Sequence, residues 1–525
     1  MRRRDVLKLS AAATLAVPRI GNAQAAKPLR FVPDADIAVL DPVAGTNYQT
    51  LHHAFMVFDT LYGQDNAYRT HPQMVAGHVT ESGGKIWNLT LREGLTFHDG
   101  SKVLARDAVA SVARWGKRDS FGQALMARVD EMSAPDDRTI RFRLKAPFPL
   151  LPDALAHFSP SMCAIMPARI AETDAFKPVS EMVGSGPFRF KADERVSGSR
   201  VVYEKFTGYV PRDEPAECTA GGKRVHIERV EWLILPDPSM IANALTSGEI
   251  DWWAYPAVDL LPLLRKSRNI AFPLLNPSGT IATMRFNQLH PPFDNPAIRR
   301  AILHAVRQSD YMTAVLGEDR ANWRDGIGYF CPDTPMANHA GMENLTSALD
   351  LRAARKELDA AGYRGERVVL LMVTDNARFK ALADVGADLM QKLGMNVDAQ
   401  SMDIGTLVQR RIKQEPVDRG GWSVFHTTFA GVDQFNPGVH AYLRGNGRNG
   451  TMGWPASTRI EELRDAWFAA GDLTAQQTAA EQLQRQAFQD VPYVPLGQWR
   501  LPTALRADLQ GMLTGLPLFW NITRS

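Results

Sequence analysis

The sequence predicts an α/β protein of two lobes with an additional, smaller α+β lobe. Three observations carry this. Residues 229–235, 238–246 and 250–254 read as strand, helix and strand, a β-α-β unit with Gly248 closing the helix. A strand over 368–373, a helix running to Leu393 and a strand over 395–400 after Gly394 repeat the pattern much later in the chain. Between the chain start and the first unit, residues 63–177 read as hairpins and turns, which predicts a separate inserted lobe. A chain of 525 residues with 45% apolar content can build more than one core.

Taken in order, the first 25 residues read as an address. Arg3-Arg4-Asp5-Val6-Leu7-Lys8 has the form of a twin-arginine export motif, and an apolar run from Leu9 to Val17 follows, too short to span a bilayer. Ala23-Gln24-Ala25 fits the small-x-small cleavage rule, so the mature chain is expected to begin at Ala26; the general secretory route stays open beside the twin-arginine one. An opening strand over 29–32 leads to Asp41-Pro42 and then a helix over 51–62. In the inserted segment Trp87, Leu89 and Leu91 alternate with Asn88, Thr90 and Arg92, as a half-buried strand requires. Glu93-Gly94 and Asp99-Gly100 turn the chain, and Ala108, Val112 and Trp115 mark one face of a helix. Ile140, Phe142 and Leu144 alternate with Arg141, Arg143 and Lys145 in a further strand.

Gly184-Ser185-Gly186-Pro187-Phe188 returns the chain to the first lobe, and a break near 273–279 precedes the third region. There Asn295 can cap a helix with Pro296 at its first position and Ile298, Ile302, Ala305 and Val306 as its apolar stripe. A helix over 351–361 ends at Gly362. The expected division is a leader over 1–25, a first lobe from 26–62, 178–273 and 488–525, the inserted lobe over 63–177, and a third lobe over 274–487.

The formal net charge of +3 belongs to the address. Removing Arg2, Arg3, Arg4, Lys8 and Arg19 along with Asp5 leaves −1. No stretch interleaves clustered Lys and Arg with aromatics, so nucleic acid is not an expected partner. Cys163, Cys218 and Cys331 permit at most one disulfide and match no zinc spacing; buried small apolar residues and one bridged pair both remain open.

Enzyme patterns fail on context. Residues 445–450 satisfy GxGxxG without opening a helix after a strand, which reads as a loop. Ser82-Gly83-Gly84-Lys85 satisfies SxxK at a hairpin turn, where no helix can align the serine and lysine. His52 and His53 point about 100° apart on a helix and cannot chelate one metal as an i, i+4 pair could. Neither a catalytic residue nor a metal ligand nor a cofactor is indicated; a triad assembled from distant segments is the alternative. Trp252, Trp253 and Tyr255 end the first β-α-β unit, where crevices form in open α/β sheets, so Trp253 and Tyr255 are candidates to line a cleft and packing between lobes is the other reading.

Residues 91–115, LREGLTFHDGSKVLARDAVASVARW, resemble a signature of the extracytoplasmic solute-binding proteins that serve ABC importers for peptides, nickel and opines, with Asp107, Ala108 and Val109 in its Asp-x-V place. "FDTLY" at Phe58–Tyr62, "GSGPF" at Gly184–Phe188, "GEID" at Gly248–Asp251 and the Phe286-Asn287 to Ala305 region are similar to further family features. The resemblance implies a type II periplasmic-binding-protein fold, location in the periplasm, a small solute such as a short peptide, and delivery to a membrane permease driven by a separate ATPase. It also implies that Asp433, followed by Pro437 at the end of the strand over 422–429, receives a ligand α-ammonium; a turn or helix-cap aspartate is the other reading. The family's aromatic three residues before this aspartate is replaced by Ala430, with Phe429 beside it, and Tyr48 and Ser185 are candidates by the same analogy. The alternatives are a periplasmic hydrolase or amidase and a carrier of a nickel or haem complex.

Overall fold

The computed structural model describes residues 27–525 except 46, 160 and 347–349, so the leader and its cleavage site lie outside the described residues. Three sheets organise the chain. The strand Leu29–Val32 pairs in parallel with Arg229–Leu233 on one side and Trp252–Trp253 on the other, at the centre of a seven-stranded sheet. In a six-stranded sheet Arg367–Val373 lies parallel to both Asn396–Met402 and Val424–Ala430. The inner strand Arg367–Val373 is an apolar run because both of its faces are covered, with Val368, Val369, Leu370 and Leu371 all but excluded from solvent.

The third sheet, of four antiparallel strands, belongs to the inserted lobe. Its alternation holds: Trp87, Leu89, Leu91, Ile140, Phe142 and Leu144 are buried while Arg141, Arg143 and Lys145 face water. The helix Ala105–Trp115 covers it with Ala108, Val112 and Trp115. Asp107 opens that helix in two ways. One carboxylate oxygen accepts from Leu104 N at 2.8 Å and the other from Ala168 N at 2.8 Å, which fixes the following segment against the helix. His98 likewise pins the glycine-rich return, with Gly186 O 3.0 Å from its Nε2 and Gly184 N donating to Nδ1 at 3.4 Å. A side chain at 184 would collide with Val57 O, 1.9 Å from where its Cβ would lie, so glycine is needed for this approach.

A buried ion pair welds the inserted lobe to the first. Arg114 meets Asp41 at 2.8 Å with both side chains fully buried, and also donates to the carbonyls of Thr173 and Lys177. Within the first lobe, Lys223 meets Asp59 at 2.7 Å, and Tyr209 donates to the same carboxylate. Toward the third lobe the contacts include aromatic pairs, Phe121 against Trp467 and Phe468 and Tyr68 stacked on Phe435 with centroids 4.7 Å apart, and a hydrogen bond from Ser120 to Gly438 O at 2.9 Å.

Two elements depart from the sequence reading. The helix expected to reach Tyr62 runs Tyr48–Val57, because Phe58 turns extended and Asp59 bridges to Ile165. The return to the first lobe, expected from 488, comes later: Val494–Trp499 lies between Trp323–Arg324 and Thr280–Phe286 in the six-stranded sheet, and Ala504–Arg506 is the strand that joins the first sheet. Cys163, Cys218 and Cys331 are buried free thiols.

Candidate functional site

The carboxyl ends of the two parallel strand sets face each other, and the loops that leave them carry the site. From the seven-stranded sheet, Leu29–Val32 runs out into Asp34 and Trp252–Trp253 into Tyr255. From the six-stranded sheet, Arg367–Val373 leads to Arg378 at the head of a helix, and Val424–Ala430 leads to the turn Gly431–Gln434. This is the place where open α/β sheets form ligand crevices. Tyr48 enters as the first residue of its helix, held there by Asn47, whose side chain accepts from Thr50 N at 2.8 Å.

Tyr48 closes the crevice. Its hydroxyl donates to Asp433 Oδ2 and accepts from Ala430 N at 2.6 Å, so one group of the first lobe engages both the strand end and the turn of the third. Asp433 is 5% exposed, and its other oxygen, Oδ1, has no hydrogen-bond partner. Burial pushes its carboxyl up to about 7, against the opposing pull of the Tyr48 hydroxyl, the Ala430 backbone N–H and, last, the field of His157. The same burial, with the adjacent carboxylate, raises the Tyr48 hydroxyl well above the ordinary tyrosine range. Gln434, fully buried, has no partner for either end of its amide. Orphaned polar atoms at adjacent buried side chains are what a polar ligand is suited to satisfy.

A second cluster flanks this one. Gln49, next on the Tyr48 helix, donates to Asp34, whose carboxyl is raised by burial and opposed by the charge of Arg378 from the facing lobe. Burial also raises the Tyr255 hydroxyl, with Asp34 adding to it. The sequence reading placed Tyr48, Tyr255 and Asp433 here and passed over Asp34, Gln49 and Arg378. Asp34 and Arg378 were accessible to the strand-end rule that singled out Tyr255, since each follows a parallel strand.

The remaining candidates are placed elsewhere. Trp253 is a core side chain, packed among Val32, Ile241, Leu245 and Leu264, which corrects the expectation that it lines the cleft. Phe429 is half-buried and packs edge-on against Tyr442 at 4.5 Å. Ser185 is buried with its hydroxyl 3.9 Å from Met74 Sδ, seated by the close approach of its glycine neighbours to the end of the Tyr48 helix. Ser82, Gly83 and Gly84 all take positive φ in the hairpin turn. His52 and His53 are buried with their pKa lowered to about 3 by desolvation. Among the described residues no group of three or more His, Cys, Asp or Glu side chains could hold a metal ion, and no helix is long and apolar enough to cross a membrane.

Comparison with known proteins agrees with this architecture. Residues 69–444 match the family model of bacterial extracellular solute-binding proteins, family 5. The chain is 37% identical, over all of its length and 99% of the relative's, to the probable peptide ABC transporter periplasmic-binding protein y4tO of Sinorhizobium fredii NGR234. Its fold matches DppA of Helicobacter pylori, solved with the peptide STSA, at a TM-score of 0.77 and 20% identity over 95% of this chain and 99% of that one. It matches a dipeptide-binding protein of Pseudoalteromonas sp. SM9913, solved with Met-Leu, at a TM-score of 0.77 and 18% identity over 95% and 100% of the two chains. A two-lobed fold with an inserted third lobe, a crevice between parallel strand ends and a match across most of the chain together establish that this protein belongs to the bacterial extracellular solute-binding proteins of family 5.

Proposed function

We propose that this chain is a periplasmic receptor for a short peptide or a related amino-acid-derived solute, captured by lobe closure and delivered to an ABC importer whose permease and ATPase are separate chains. The observation that carries this is the Asp433 carboxylate, buried between lobes with one oxygen unpartnered. A carboxylate so placed is held near neutrality for want of an opposite charge. A ligand ammonium supplies that charge and a charge-assisted hydrogen bond together. The peptide assignment of the Sinorhizobium relative and the peptides held by structural neighbours support the same chemistry.

Closure is the mechanism. Contacts made with both lobes stabilise the closed state over the open one by the ligand's differential affinity, and Tyr48 already spans the gap from one lobe to the carboxylate of the other. In this proposal the first lobe comprises 26–62, 178–273 and the stretch beyond Trp499, with 63–177 inserted. Mass spectrometry of solute released from the mature, periplasm-purified protein tests the reading, with unmodified amine-bearing peptides as the expected species. Recovery of cleaved products that accumulate with time would replace the receptor with a hydrolase.

A further inference from the structure

A cavity of about 460 Å³ opens between the inserted lobe and the third lobe, and none of Asp34, Tyr48, Tyr255, Arg378 and Asp433 lines it. Its volume falls in the range of sites for small organic molecules. The rings of Tyr62, Tyr68, Phe435 and Trp467 line it, with Leu150 and Met336 between them, and a single carboxylate, that of Asp153, faces the same space. We propose that this cavity is a second ligand site, distinct from the crevice, for an organic cation with an apolar or aromatic body whose ammonium meets Asp153. The proposal is independent of the peptide reading above.

Short-range features build the wall. Tyr68 takes the left-handed conformation, with φ 62°, in the turn between the strands Tyr62–Gln64 and Thr70–Pro72. Asp65 holds that turn by accepting from Ala67 N and Arg69 N, both at 2.9 Å, and the Tyr68 ring is thereby carried onto Phe435 of the third lobe, centroids 4.7 Å apart. Trp467, from the helix Thr458–Ala469, is buried with its Nε1 donating to Met336 Sδ at 3.3 Å.

The charges around the cavity leave Asp153 alone. It stands in the first turn of the helix Leu151–Ala156 and accepts from Thr70 Oγ1 at 2.9 Å. Burial raises its carboxyl, opposed by that hydroxyl and by its own backbone N–H, and no cation takes part. Arg69, exposed on the rim, is engaged by Asp65 at 2.8 Å. His78 has its Nδ1 2.9 Å from the Tyr62 hydroxyl, and desolvation lowers its pKa, so the ring is neutral. Among the described residues the lining therefore carries one uncompensated charge, and it is negative.

That combination selects the ligand class. A hard metal ion needs several oxygen ligands, which aromatic rings do not supply. An anion would meet Asp153, and a neutral apolar molecule would leave the carboxylate buried without a counter-charge. An ammonium on an apolar body suits both features, since the rings bury the body and attract the cation while the carboxylate accepts a charge-assisted hydrogen bond.

The test uses the mature protein washed free of solute, titrated by calorimetry near neutral pH with phenethylamine and with phenethyl alcohol, its uncharged counterpart. The wild type should bind the amine at least about tenfold more tightly than the alcohol, the ratio expected of a hydrogen bond to a charged group. Asp153→Asn should bring the amine down to the level of the alcohol, and Tyr68→Leu should weaken both compounds, each in protein that still unfolds cooperatively. Asp433→Asn should keep the wild-type preference for the amine, which separates this cavity from the crevice. Equal affinity for the two compounds, binding of neither, or an undiminished preference in Asp153→Asn overturns the proposal. Loss of the preference in Asp433→Asn places the amine in the crevice and overturns it as well, with the peptide reading left intact in every case.

Discussion

Replacing Asp433 by Asn should make the ligand-free protein more stable at pH 8 while crippling its affinity. The wild-type carboxyl rises from 3.8 to about 7 through burial. At 1.36 kcal/mol per pH unit this places a cost of about 4 kcal/mol on the ionised side chain in the closed, folded state. Asn is isosteric and uncharged, and its carbonyl can still accept from the Tyr48 hydroxyl, so the variant sheds that cost while leaving one amide group unsatisfied, itself worth about 1–3 kcal/mol. A net gain of about 1–3 kcal/mol at pH 8 follows. The sign of the pH dependence is fixed by linkage. A carboxyl with a raised folded-state pKa contributes stability that is fully present below pH 4 and is lost as pH rises through 7, so the advantage of the variant should grow across that window and level off above it. His52, His53, His426 and His440 are lowered to about 3 by burial and act in the opposite sense over an overlapping range, losing stability as pH falls below 6.5. The difference between variant and wild type, measured by urea unfolding from pH 4 to 8, cancels them. A difference that stays flat with pH would show that Asp433 is not buried in the ligand-free protein and would refute the reasoning. With the co-purified peptide, calorimetry should show an affinity lower by about thirtyfold to several-thousandfold, and N-acetylation of the peptide should cost the variant little more.

Tyr48→Phe removes a hydroxyl that both donates to Asp433 and accepts from Ala430 N, so it should weaken the closed state by about 1.5–3 kcal/mol, read as a larger radius of gyration of the ligand-free protein by small-angle scattering. Arg114→Met leaves the buried Asp41 carboxylate without its counter-charge and should cost about 3–5 kcal/mol in urea unfolding; adding Asp41→Leu should not recover the loss, because Val43 N, Ala44 N and Val179 N, which donate to that carboxylate, then lose their acceptor.

Much of this architecture is legible in the sequence because its signals are local. Asn295-Pro296 capping a helix, Gly248 in the left-handed conformation ending another, and the alternation from Trp87 to Leu91 need only the chain itself. Trp253 was less readable. In a parallel strand both faces are covered, so alternation puts Trp252 and Trp253 on opposite sides and gives no sign of which side is cleft. Val494–Trp499 was hidden by its proline, which argues against an interior strand. It is accommodated because the pairing with Thr280–Phe286 shifts register between Ile281 and Thr283, opposite Pro495. The partnership of Tyr48 with Asp433 joins residues far apart in the chain, and only the meeting of two lobes creates it. Local pattern carries no information about such a contact.

The late return of the chain also has a consequence for biosynthesis. Val494–Trp499 is an interior strand of the six-stranded sheet and Ala504–Arg506 an interior strand of the seven-stranded one. A nascent chain that lacks these segments therefore has a vacant strand position in both large lobes, and neither can complete its hydrogen-bond ladder however much of its N-terminal sequence has left the ribosome. The inserted four-stranded lobe, continuous in sequence, is under no such restraint. The two large lobes therefore complete their sheets only once residues 494–506 are available, whereas the inserted lobe needs neither segment.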